Sequence, residues 1–92
     1  MAAAKVQVTV EFFGIPRLRA GRTEMTVAGR TILDTLVAVE KACPQLSGLI
    51  SPDGRLSPHF LVSLEGRRFI RNLQEPLQTG DRIILLSADS GG

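Results

Sequence analysis

The chain has no tryptophan, no tyrosine and one cysteine, Cys43. No intrachain disulfide can form, which excludes the disulfide-stapled class of small secreted domains and favours a reducing compartment. Histidine is also scarce, with His59 alone. No second ligand type is spaced for a metal, and no Ser/Asp or Cys arrangement is readable around it, so His59 reads as an ordinary strand-entry residue. Phosphate loops, zinc motifs and general acid–base pairs are absent as well. Long apolar runs are missing: the opening stretch MAAAKVQVTVEFF is interrupted by Gln7, Thr9 and Glu11 and lacks a basic front with an apolar core, which excludes a membrane helix and a signal peptide. Charge of one sign is missing too. Eleven basic and nine acidic residues give a formal charge of +2, and no like-charge run exceeds Arg67-Arg68, too mild a balance for a nucleic-acid-binding chain. The expectation is a soluble cytoplasmic protein that binds no metal or cofactor itself, has neither nucleic acid nor membrane as a partner, and is a substrate of catalysis, not a catalyst.

What is present is enough for one core. At 92 residues and 43% hydrophobic content, a chain buries ~60–65% of the surface its unfolded form exposes. No fixed-period repeat or low-complexity linker divides it.

Val6 to Phe12 alternates with period two, placing Val6, Val8, Val10 and Phe12 on one face of a strand. Gly14, Pro16 and Gly21 punctuate an arginine-bearing loop, and Thr23 to Ala28 resumes the alternation, completing an antiparallel hairpin. The period then changes. Ile32, Leu36, Val39 and Cys43 fall at spacings of four, three and four, one stripe of a helix that Thr31 can cap and Pro44 stops, with Asp34 in the first turn and Lys41 near the end to suit its dipole. After a turn-rich loop around Pro52-Asp53-Gly54 and Pro58, Phe60 to Leu64 reads as a third strand. Glu65-Gly66 can turn it into Arg67 to Ile70. Leu73 and Leu77, around Pro76, read as a short helical turn against the core. Ile83-Ile84-Leu85-Leu86 does not alternate, the pattern of a strand covered on both faces and therefore central.

Strand, strand, helix, strand, short strand or turn, strand is an α+β order. It describes a β-grasp arrangement: a mixed sheet of four to five strands, one main helix on one face, and the C-terminal strand central beside the first and parallel to it. Residues 1–86 form the expected domain and residues 87–92 a flexible C-terminal arm.

The arm ends in Gly91-Gly92. Glycine makes up ~7% of average composition, so a terminal pair arises by chance in roughly 0.5% of chains, a poor explanation. Glycine can thread a narrow channel and reaches backbone conformations closed to other residues. A carboxylate at Gly92 would be unobstructed by side chains, but it is a weak electrophile and needs activation, as by adenylation.

The chain resembles the MoaD/ThiS-like sulfur carrier family of ubiquitin-like β-grasp proteins, with molybdopterin synthase small subunit as the nearest label. The resemblance rests on VQVTVEFFG, TILDTL opening the helix, FLVSLEG before the hairpin, GDRIILL after the turn and SADSGG at the end. It implies that an ATP-dependent, E1-like enzyme of the MoeB/ThiF type adenylates Gly92. A sulfur donor then converts Gly92 to a thiocarboxylate, and the sulfur passes to a biosynthetic intermediate on an acceptor synthase subunit. Gly91, Ser87, Ala88, Asp89 and Ser90 would form the threading arm. Two departures stand out: Glu65-Gly66 where relatives have Asn-Gly, which tolerates positive φ better, and Asp89 where relatives often have a small or apolar residue.

Other readings stay open. Gly92 could instead be joined to lysines of target proteins, as in a ubiquitin-like modifier, or the tail could be inert on an interaction module. Cys43, on the apolar stripe, reads as a buried structural thiol before a redox site. Phe13 lies on the face opposite Val6, Val8, Val10 and Phe12, which Ile84 and Leu86 can share. It serves either as a docking surface for the activating enzyme or as a platform that loop 14–22 covers. Arg17, Arg19, Arg22, Arg67, Arg68 and Arg71 read as a solvated rim that can steer a partner electrostatically.

Overall fold

The central strand of the sheet is the last one in the chain. In the computed structural model, which describes residues 5–88, the elements run β1 (Gln7–Phe12), α1 (Ile15–Ala20), β2 (Glu24–Ala28), α2 (Ile32–Ala42), a 3₁₀ turn (Pro44–Leu46), β3 (Phe60–Leu64), β4 (Arg68–Phe69) and β5 (Arg82–Ser87). The five strands are ordered β2-β1-β5-β3-β4. β5 pairs parallel with β1, Val10 opposite Ile83, and antiparallel with β3, Val62 opposite Leu85. No helix among the described residues is long and apolar enough to cross a membrane.

Alternation decides which face of the sheet is dry. Val8, Val10 and Phe12, Met25 and Val27, Phe60 and Val62, and Ile83 and Leu85 all turn inward and are buried. Ile32, Leu36 and Val39 of α2 are fully buried in the same core, and Cys43 is 4% exposed. Full burial of each of these apolar side chains contributes about 1.5–3 kcal/mol, so the stripe spaced four, three and four holds the helix down. The Cys43 thiol donates to the Met25 sulfur at 3.9 Å inside this core, a packed site with no access for a reactant.

The start of α2 is fully capped. Thr31 Oγ1 accepts from the Asp34 N–H at 3.1 Å, and Thr31 O accepts from the Thr35 N–H at 3.1 Å. The two remaining orphan donors, the N–H groups of Ile32 and Leu33, reach Glu75 O (3.1 Å) and Leu73 O (2.9 Å). This corrects the expectation of a helical turn around Pro76. The carbonyls of Leu73 and Glu75 serve the end of α2, so the segment lies alongside it, bridged from Thr31 to Pro76.

Residues 14–22 are likewise more ordered than a loop. Pro16 stands in the first turn of α1 with its fixed φ, and Gly21, at φ 71° in the left-handed region, donates its N–H to Arg17 O and ends the helix. At six residues, with only Pro16 buried, α1 carries too little periodicity to be read as a helix. The hairpin turn after β3 has positive φ at both central residues, Glu65 (55°) and Gly66 (69°). Glu65 is held there because its N–H donates to Arg82 O at 2.8 Å and its Oε2 accepts from the Arg82 N–H at 2.6 Å. Those bonds continue the β3–β5 ladder past its last pair and offset the strain that glutamate meets in a left-handed turn.

Candidate functional site

The outer face of the sheet, opposite α2, divides into a charged and an apolar half. In the charged half Glu11 stands opposite Glu24 of β2, with Thr9 opposite Arg82 of β5. The Arg82 guanidinium reaches both carboxylates, donating to Glu11 Oε1 through Nε at 2.8 Å and to Glu24 Oε1 through Nη2 at 3.0 Å. The hydrogen bond to Glu11, then that to Glu24, holds the Arg82 guanidinium above its ordinary pKa. Two carboxylates stacked across neighbouring strands repel, and one arginine between them converts that repulsion into a bridge.

The apolar half starts one residue further along. Ile84 is opposite Glu11 on one side and Ser63 on the other, and Leu86 is opposite Leu61. The expectation that β5 is covered on both faces holds for the inner one alone: Ile83 and Leu85 are fully buried, whereas Ile84 and Leu86 are half-buried. Phe13 continues the outward alternation of Thr9 and Glu11, with its N–H on Leu85 O at 3.0 Å and its side chain 48% exposed. α1 leaves Phe13 uncovered, and its own exposed apolar residues are Ile15, which lies toward Ser47, Phe60 and Ser87, and Leu18.

Two members of the apolar face escaped sequence reasoning. Leu61 alternates outward between Phe60 and Val62, and Phe69, 61% exposed, is registered opposite Ser63 and so shares its face with Ile84. Alternation along Phe60 to Leu64 contained the signal for Leu61. Phe69 required the register of a strand only two residues long. Together Phe13, Ile84, Leu86, Leu61 and Phe69 make one exposed apolar surface of the kind that marks partner sites.

At the end of β5, Ser87, expected as the first residue of the arm, belongs to the strand. Ser87 is buried in the strand opposite Phe60, and the Ala88 N–H donates to His59 O at 2.9 Å. His59 is exposed, its own N–H on Ser57 Oγ, which matches strand entry. Asp89, Ser90, Gly91 and Gly92, on which the tail chemistry rests, lie outside the described residues. All six arginines expected at the rim are exposed, and Arg68 is ion-paired with Glu75. Among the described residues no three metal-capable side chains cluster.

Topology, central C-terminal strand and outer face define a ubiquitin-like β-grasp protein. Among solved structures the chain is similar to SAMP1 from Haloferax volcanii, with 29% identity over 94% of this chain and 99% of that one and a TM-score of 0.80. It is also similar to the small archaeal modifier protein 1 from Methanosarcina acetivorans, with 26% identity, 98% and 100% coverage and a TM-score of 0.82. The complex of subunits 1 and 2 of the molybdopterin-converting factor from Helicobacter pylori contains a chain of the same fold, with 24% identity, 95% and 100% coverage and a TM-score of 0.65. The resemblance to MoaD/ThiS-like proteins carried by the sequence motifs is thus also one of fold. No family model and no curated protein matches the chain.

Proposed function

We propose that this protein is a cytoplasmic sulfur carrier whose Gly92 carboxylate is adenylated by an E1-like, MoeB/ThiF-type enzyme using ATP and then converted to a thiocarboxylate. The carrier itself supplies no catalytic group. Its carboxylate oxygen attacks the α-phosphorus of ATP, pyrophosphate leaves, and hydrosulfide supplied by the donor attacks the acyl carbon and displaces AMP, leaving the thiocarboxylate. The observation that carries the proposal is the place of the last described strand in the sheet. The last strand is gripped on both edges, by β1 and β3, and the last described contact, Ala88 to His59, lies four residues before Gly92. A chain that leaves the sheet from its most constrained strand starts from a fixed point beside the outer face, where a partner can be seated. The Helicobacter complex, in which a chain of this fold pairs with a second subunit, supports such an acceptor subunit.

One observation favours a second reading. The neighbours above 25% identity include proteins named as modifiers, which supports joining Gly92 to lysines of target proteins. Both readings use the same activated carboxylate and part at the nucleophile that attacks it.

The test is the intact mass of the protein after incubation with ATP, an E1-like enzyme from the same cell and a sulfur source. The expected change is exchange of one oxygen for one sulfur at Gly92, absent when Gly91-Gly92 are deleted. Adducts to other proteins in place of that change support the modifier reading. Adding one tryptophan after Gly92 is expected to abolish activation and leave the melting temperature unchanged. A large loss of stability in that variant would show the tail to be packed structure.

A further inference from the structure

A second surface borders the outer face at the far edge of β3 and shares Leu61 and Phe69 with it. β4 is two residues long and pairs only with Ser63 and Leu64. The Ile70 N–H adds one more bond, to Val62 O at 2.8 Å. Beyond that point no strand among the described residues is paired to the outer edge of β3, and the stretch holding Phe60 and Leu61 faces a groove. One wall of the groove is the loop from Gly54 to Pro58, and the other is the segment from Phe69 to Gln74. Its volume is about 960 Å³, at the upper end of the ~300–1,000 Å³ typical of ligand clefts.

The lining has a definite chemistry. Leu56, Pro58, Leu61 and Phe69 offer apolar surface that is exposed or half-exposed. Arg55 on one wall and Arg71 on the other supply the charge, and among the described residues no aspartate or glutamate lines the groove. Neither arginine forms an ion pair among the described residues. Arg68, nearby, is already committed to Glu75.

The geometry points to this groove as a docking site for an extended segment of a partner protein that alternates apolar residues with aspartate or glutamate and lies along the open edge of β3. An open strand edge binds extended backbone. The apolar lining receives alternate side chains, and arginines on facing walls receive the carboxylates between them. A single-stranded nucleic acid fits less well, because Phe69 is the lone aromatic exposed there and stacking platforms need several. A second copy of this chain fits less well too, because it would bring arginine against arginine.

The proposal is tested by selecting a phage-displayed library of random dodecapeptides on the immobilised full chain and mapping the enriched peptides by amide chemical shifts. The expected result is enrichment of sequences alternating apolar and acidic residues, with shifts concentrated at residues 54–62 and 69–74. The double variant Arg55→Ala/Arg71→Ala should weaken binding at least about tenfold, while Phe13→Asp should leave it unchanged. No enrichment, enrichment of basic peptides, shifts centred on Ile84 and Leu86, or indifference to the double variant would each overturn the proposal. So would dimerisation through the same residues, or an oligothymidine that moves the same amides at equal or lower concentration.

Discussion

A methyl group at Gly29 would lie 2.4 Å from Thr35 Oγ1 and 2.8 Å from the Thr35 backbone nitrogen. Gly29 joins β2 to α2, and its N–H is bound to Val6 O, so the backbone cannot retreat. Thr35 cannot retreat either, because its hydroxyl donates to Thr31 O in the first turn of the helix. Gly29→Ala is therefore expected to destabilise the protein by about 1–3 kcal/mol, the usual cost of overpacking, measured by urea unfolding. Glu65 illustrates the opposite case, a poor residue for its φ kept by what its carboxylate does. Glu65→Ala removes the acceptor for the Arg82 N–H and leaves the unfavourable φ, with an expected loss of about 1 kcal/mol. Glu65→Gly relieves the φ as well and should lose less, which equilibrium unfolding of the pair would resolve.

At the scale of elements, the stretch after α2 is tied back by one side chain. Glu40 Oε2 accepts from the N–H groups of Gly48 and Leu49, both at 3.0 Å, and Leu49 is fully buried. A carboxylate receiving two backbone donors fixes the chain between the 3₁₀ turn and the following loop, whose residues Gly54 to Pro58 form a wall of the β3-edge groove. Glu40→Ala should cost about 2 kcal/mol, as expected for charge-assisted bonds whose donors lose their acceptor. Amide exchange of Gly48 and Leu49 should accelerate more than that of Val39, and uniform acceleration would show that Glu40 supports the whole fold and not this segment.

At the scale of the molecule, one sheet separates tasks by face. The inner face, with α2, makes the core. The outer face keeps Phe13, Ile84 and Phe69 within reach of solvent and places them beside the strand that ends in the tail. Phe13 is half-exposed and outside the core, so Phe13→Asp should leave the melting temperature within a few degrees of the parent. If the proposed activating enzyme docks on this face, the same change should weaken that complex by about tenfold or more, as for a buried aromatic anchor, measured by titration calorimetry. A normal affinity would place the enzyme elsewhere on the surface.

The sequence by itself determined the inner face. Period two in Val6 to Phe12 and in Phe60 to Leu64, and the four-three-four spacing from Ile32 to Cys43, are local patterns, and burial follows them except at Val6 and Leu64, which are half-buried, and at Ser63, which is buried. It also determined the central place of β5, because four apolar residues in a row have no polar side to give to water. Tertiary structure alone decided that the second side of β5 is only half covered, since that depends on how far β4 extends and where α1 lies. It decided that residues 73–77 form a turn and a bridge instead of a helical turn, since the carbonyls of Leu73 and Glu75 answer donors some forty residues earlier in the chain. It also brought Phe69, Leu61 and Ile84 onto one surface and left the edge of β3 open between Arg55 and Arg71. Each of these is set by register and pairing between distant segments, which a local pattern of residues does not encode.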